Sequence, residues 1–151
     1  MALKPDRIET VTDVSFFMNS TAERGGVATI STGGSGVAMD DASAVVAYAA
    51  DPSGAKPVGV LLNDVVNLDL TRQHINWHKD EVQQGGKVTL LQVGQVTTDQ
   101  IAGSPAAGDV AYVDASGTIG NDADSGNNAQ VGRFLSSVDA DGYAKVAVNI
   151  A

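Results

Sequence analysis

The sequence predicts a mainly β protein of short antiparallel strands, folded as a small sandwich or barrel. Three observations predict it. Apolar residues alternate with a period of two in several segments, glycine-bearing turns separate those segments at short intervals, and the three- and four-residue apolar spacing of helices is scarce.

Residues 1–13 are polar, contain Pro5 and have no evident partner strand, so they read as an extended N-terminal arm that orders on binding. Residues 14–151 then form the β-rich domain. Gly26 to Ser31 and Pro57 to Leu62 are short apolar strands. Between them, Ala42 to Ala50 has alanines that permit helix, but Val45, Val46 and Tyr48 favour strand. Lys87 to Val93 and Gln95 to Ile101 read as two strands broken at Gly94, and a glycine inside such a pattern suggests a bend that helps close a barrel.

Asp109 to Asp114 and Thr118-Ile119 flank Ala115-Ser116-Gly117, which reads as a hairpin with glycine at the left-handed position. The last hairpin is the clearest. Val131 to Val138 and Tyr143 to Ile150 enclose Asp139-Ala140-Asp141-Gly142, and Asp-Gly supplies the positive φ angles of tight turns. In the second strand Ala144, Val146, Val148 and Ile150 share one face, with Lys145 and Asn149 on the other. No repeat of solenoid type is visible.

At 151 residues, one domain can bury a sufficient core without staples. There is no cysteine, which removes disulfides and thiolate metal sites. Aromatic residues make up only 5% of the chain, so Val, Ile, Leu and Ala must build the core, and oligomer contacts would add to so lean an interior. The 18 acidic and 9 basic residues give a net charge of −9, which disfavours nucleic acid and anionic membrane as partners. No apolar run approaches the roughly 20 residues that span a bilayer. Residues 1–12 also lack a hydrophobic run of signal-peptide type, so the expectation is a soluble product made in the cytoplasm. Charge is uneven. Lys4 and Arg7 face only Asp6 in the first seven residues, whereas beyond Lys87 only Arg133 and Lys145 stand against seven aspartates.

Candidate chemical sites fail at named positions. His74 and His78 have the four-residue spacing of helical zinc ligands, with Asp80 or Glu81 to complete a set, but Ile75 stands where a zincin motif needs glutamate. The alternation of their neighbours would also separate the rings on an extended segment. Asn121 to Gly126 resembles the start of a calcium loop, yet counting from Asp122 puts Asn127 at position six and Arg133 at position twelve. Thr32-Gly33-Gly34-Ser35-Gly36 is glycine-rich, but Val37 follows where a phosphate loop needs lysine. No nucleophile motif is present, and no acidic pair stands out for acid–base work. The expectation is no catalytic residue, no metal and no cofactor. Residues 68–84 differ from the rest in holding the only tryptophan and both histidines. Trp77 fits an interface anchor or a core plug equally well, and Arg72 and Trp77 are the interface candidates there.

The series KPVGVLL (56–62), QGGKVTLL (84–91), GDVAYV (108–113), AQVGRFL (129–135) and DADGYAKV (139–146) resembles the pattern of tailed-phage head decoration, or cement, proteins. Their order and spacing carry the resemblance, from about Gly25 to the C-terminus. It implies a compact β-barrel or β-tulip domain, often trimeric, on the outside of an expanded head at local threefold axes. There it would clamp neighbouring major capsid subunits, and the N-terminal segment would add a strand to a capsid sheet. On that reading Leu3, Ile8 and Val11 dock apolar surface, Lys4 and Arg7 pair with capsid carboxylates, and Pro5 lies in the same arm. Many identical copies make weak contacts effective.

Two other readings stay open on the sequence. One is a carbohydrate- or receptor-binding β-domain of a virion appendage, with an aromatic groove around Trp77, Tyr48 and Tyr112. The other is a small hydrolase using an acidic pair or His74 and His78.

Overall fold

The computed structural model describes residues 3–4, 6–33, 44–64, 81–82 and 84–150, and every regular element among them is a strand or a single 3-10 turn. The strands are β1 (Ile8–Asp13), β2 (Phe17–Met18), β3 (Ala22–Glu23), β4 (Val27–Gly33), β5 (Ala44–Ala47) and β6 (Pro57–Asp64). They continue with β7 (Glu81–Val82), β8 (Val88–Thr98), β9 (Val110–Val113), β10 (Ile119–Gly120), β11 (Gln130–Phe134) and β12 (Ala144–Asn149). Ten of them form one sheet in the order β10-β9-β11-β12-β8-β6-β4-β5-β2, with β1 also paired to β8, while β3 and β7 pair separately. The fold is mainly β, as the alternating pattern predicts. All pairings between these strands are antiparallel except β2 with β5, so the sheet is mixed.

The long strand β8 organises the sheet. Leu91 pairs with both Val60 and Thr12, and Gln95 with both Ala147 and Ile8. Hence β1 lies along one edge of β8, and β6 and β12 take successive halves of the other. The handover falls at Gln92, whose carbonyl accepts from the Ile150 amide at 2.9 Å. The single strand β8 therefore runs unbroken through Gly94, from Val88 to Thr98, in place of two strands broken there. Glycine is needed at 94 for proximity: a Cβ there would overlap the Ile8 carbonyl oxygen of β1. The same reason applies at Gly132, where a Cβ would overlap the Ala147 carbonyl oxygen of β12.

Strands β6 and β8 and the first three residues of β4 bury side chains on both faces, whereas Ile30 and Ser31 further along β4 are exposed. Val27, Val60, Leu62, Leu91 and Val96 point into the main core with Val113, Ile119, Val131, Phe134, Val146 and Val148. Their neighbours Ala28, Leu61, Val88 and Leu90 enter a second core with Met18, Val46, Val58 and Val82. This double burial explains the nearly continuous apolar runs of β6 and β8, since period-two alternation of polarity disappears when neither face meets water. Each fully buried valine or leucine contributes about 1.5–3 kcal/mol of burial free energy, so aliphatic side chains suffice.

The sheet curls without closing into the barrel expected from Gly94. Its path ends at β10 and β2, and no ladder joins them among the described residues. Both end strands are two residues long, and the strand ladder each makes among the described residues is with its inner neighbour alone, β9 or β5. Side-chain packing bridges the gap instead. The Tyr48 ring, just after β5, lies against Gly117 in the turn between β9 and β10, where a Cβ would come within 2.5 Å of the ring. Gly117 also has φ +76°, which favours glycine. The Ser116 amide donates to the Ala49 carbonyl at 2.8 Å. The Tyr48 hydroxyl donates to the Glu23 carbonyl and accepts from the Gly26 amide at 3.0 Å. Burial pushes this phenol well above its ordinary range, so it stays a donor.

Both hairpins read from the sequence are present, with trimmed ends. β11 stops at Phe134 instead of Val138: the chain bends at Leu135–Ser136, where the Ser136 hydroxyl accepts from the Lys145 amide at 2.9 Å. Asp139 then makes the turn, its carboxylate accepting from the amides of Asp141 at 3.0 Å and Tyr143 at 2.9 Å. The other hairpin returns at Ile119–Gly120.

Two substitutions test this architecture by denaturant unfolding. Gly94→Ala should lose about 2 kcal/mol or more, through the clash with β1. Tyr48→Phe should lose about 1–3 kcal/mol, because the Gly26 amide and Glu23 carbonyl lose their partner.

Candidate functional site

The N-terminal segment is built onto the domain from both ends. Leu3 is 1% exposed, bridges to Thr98 and belongs to the main core with Val96 and Val146. The Lys4 amide donates to the Thr97 carbonyl at 3.0 Å, and its ammonium sits 4.4 Å from the centre of the Tyr143 ring. Pro5 lies outside the described residues. Arg7 and Glu9 form an ion pair at 2.5 Å. After β1, the Ser15 amide donates to Asp13 at 2.6 Å, the Val88 amide to the Phe16 carbonyl at 3.1 Å, and Met18 is buried in the second core.

Between these anchors β1 is exposed along almost its whole length. Its pairing to β8 is irregular between Glu9 and Val11 and again between Val11 and Thr12, so its side chains do not sort into one buried and one wet face. Ile8 is 54% exposed, Val11 41% and Val14 48%, which makes three large apolar side chains in water over seven residues. Ile30 and Leu135 are the other exposed large apolar residues among those described. Of the arm residues singled out from sequence, Ile8 and Val11 thus face outward and Leu3 faces the core. Val14 was missed, although its three-residue step after Ile8 and Val11 is visible in the chain.

The remaining candidates form no site among the described residues. Arg72, Trp77, His74, His78 and Asp80 lie outside the described residues, as do Gly34 to Gly36, and Glu81 is placed in β7 by its backbone. Among the described residues no three acidic or histidine side chains gather as metal ligands. In the loop after β10, Asp122 is occupied in holding its own turn, accepting from the Asp124 amide at 2.8 Å, and Asn128 donates to the Asp122 carbonyl at 3.0 Å. Tyr48 has its hydroxyl engaged internally, and Tyr112 is half-buried on β9.

Two exposed aspartates are tuned by local hydrogen bonds. Asp109 is held below the usual carboxylate value by the Ala106 amide and then by the Asn121 side chain. Asp139 is held below it chiefly by the Tyr143 amide, with smaller help from the Asp141 amide and the Lys4 charge. Lys4 therefore ties the start of the chain to the last hairpin through both Tyr143 and Asp139.

A model of the phage structural cement protein family (E217 gp24/Pam3 gp6) matches residues 7–149, from just before β1 to the end of β12. The chain belongs to the phage structural cement proteins. No curated protein matches it. Membership makes this chain a structural cement protein of the phage capsid, which implies binding to the capsid and a non-enzymatic role. The matched range includes β1 and its exposed apolar residues, whereas Leu3 and Lys4 precede it.

A depressed carboxyl contributes stability above its unfolded value of 3.8, and the contribution is lost as pH falls through the lower folded value. Asp139→Asn should therefore melt below wild type at about pH 7, with the gap shrinking towards about pH 2. An unchanged gap in melts across that range would rule out the charge as its source.

Proposed function

We propose that this cement protein binds the outer surface of the expanded head, contacts the major capsid protein, and acts as a trimer at local threefold axes. The N-terminal segment is the attachment element. Within it Ile8 and Val11, joined by Val14, provide apolar contact, and Arg7 lies beside them. Leu3 holds the segment to the domain beside Thr98, and Lys4 does so through Thr97 and Tyr143, with Pro5 following Lys4 in the arm. Arg72 and Trp77 are assigned to a contact between subunits or with the capsid.

Support comes from one conjunction: the family match begins just before the outward-facing strand that carries two of the exposed large apolar side chains, with a third, Val14, directly after it. Apolar residues left in water along an edge strand invite aggregation unless a partner covers them. A protein present in many copies on a head gains from each such contact by multivalency. The protein's net charge of −9 keeps the remaining surface repulsive towards other acidic particles.

Sedimentation of the purified protein, alone and mixed with undecorated heads, tests this reading. Wild type should co-sediment with heads and a trimer should be found, free or head-bound. Ile8→Glu with Val11→Glu should leave the melting temperature nearly unchanged, because both positions are exposed, yet abolish decoration. Full occupancy by the double variant would overturn the attachment role.

A further inference from the structure

Resting on the attachment role just proposed, we infer that β1 docks while still held on β8, and that its outer edge receives an extended, basic segment of the capsid protein, not a second copy of this chain. β1 has one edge bonded to β8, and no strand pairs with its other edge among the described residues. An unoccupied edge offers main-chain donors and acceptors to an incoming strand, and its side chains then select the partner.

Detachment of β1 is the costly alternative. Leu3 would leave the main core, and Lys4 would lose Thr97 and the Tyr143 ring. The β8 residues from 90 to 95 would lose their partners on that side. Docking in place breaks none of these contacts. It makes β1 an internal strand, with β8 on one side and the capsid segment on the other.

Charge selects the occupant. The edge carries Asp6, Glu9 and Asp13 against one cation, Arg7, which pairs with Glu9, so Asp6 and Asp13 leave it net acidic. Acidic groups beside apolar ones fit a segment whose basic residues flank apolar residues. A second β1 fits poorly. In the antiparallel register that sets Ile8 against Val14 and Val11 against Val11, Glu9 falls opposite Asp13, and like charges directly opposed are destabilising.

Hydrogen exchange of free and head-bound wild-type protein, read by mass spectrometry, tests docking in place. Peptides covering 8–13 should gain protection on binding, and those covering 90–95 should stay as protected as before. Loss of protection over 90–95, or no change over 8–13, would overturn the inference. The charge argument is tested by Asp6→Lys with Glu9→Lys, both on exposed side chains. Head affinity should fall by about tenfold or more, and wild-type binding should weaken with salt. Equal or tighter binding by the variant would overturn a basic occupant, and protection of 8–13 in concentrated protein without heads would point to a second copy. Failure of wild type to bind heads at all would instead defeat the attachment role itself.

Discussion

Strand β8 has neighbours on both edges from residue 90 to residue 95, and the rest of the molecule is arranged around that fact. β6 and β12 divide one edge between them, which joins the two halves of the sheet and lets one strand feed both cores. The other edge is taken by β1. Close approach of β1 to Gly94 leaves no room for a side chain there, so the glycine marks a packing contact between strands and not a break in one. The outer side of β1, which no strand pairs among the described residues, is the edge to which the proposed attachment role is assigned.

The sequence shows the hairpins well and the long-range pairings poorly, for a physical reason. Asp139 to Gly142 and Ser116-Gly117 are turn chemistry, legible because a few adjacent residues set the backbone angles. The pairing of β1 with β8 is made by main-chain groups and leaves side chains exposed, so no periodic pattern records it. Gly94 was read as a barrel bend because steric demand from a strand eighty-odd residues earlier in the chain has no local signature. The contact that draws the two ends of the sheet together, Tyr48 on Gly117, is equally silent, since each residue has an ordinary local explanation. At the candidate site, Ile8 and Val11 were legible as apolar residues in a polar segment. Leu3 looked the same in sequence but is buried, because what separates it from Ile8 is its place beside Thr98 and Val96.

If β1 is the attachment strand, as proposed, its firm ties to the domain would transmit load better than a loose arm. Here the ties are of three kinds: an apolar plug at Leu3, a cation over an aromatic ring at Lys4, and the ladder to β8. The binding entropy of a preformed edge is also smaller, since little chain must be ordered on contact.

The most direct test of the account is a cryo-electron microscopy map of a decorated head at side-chain resolution. The account predicts β1 in place on β8, with Ile8, Val11 and Val14 buried against capsid density along its outer edge. A map with β1 peeled from β8, or with those three residues facing solvent, would contradict it.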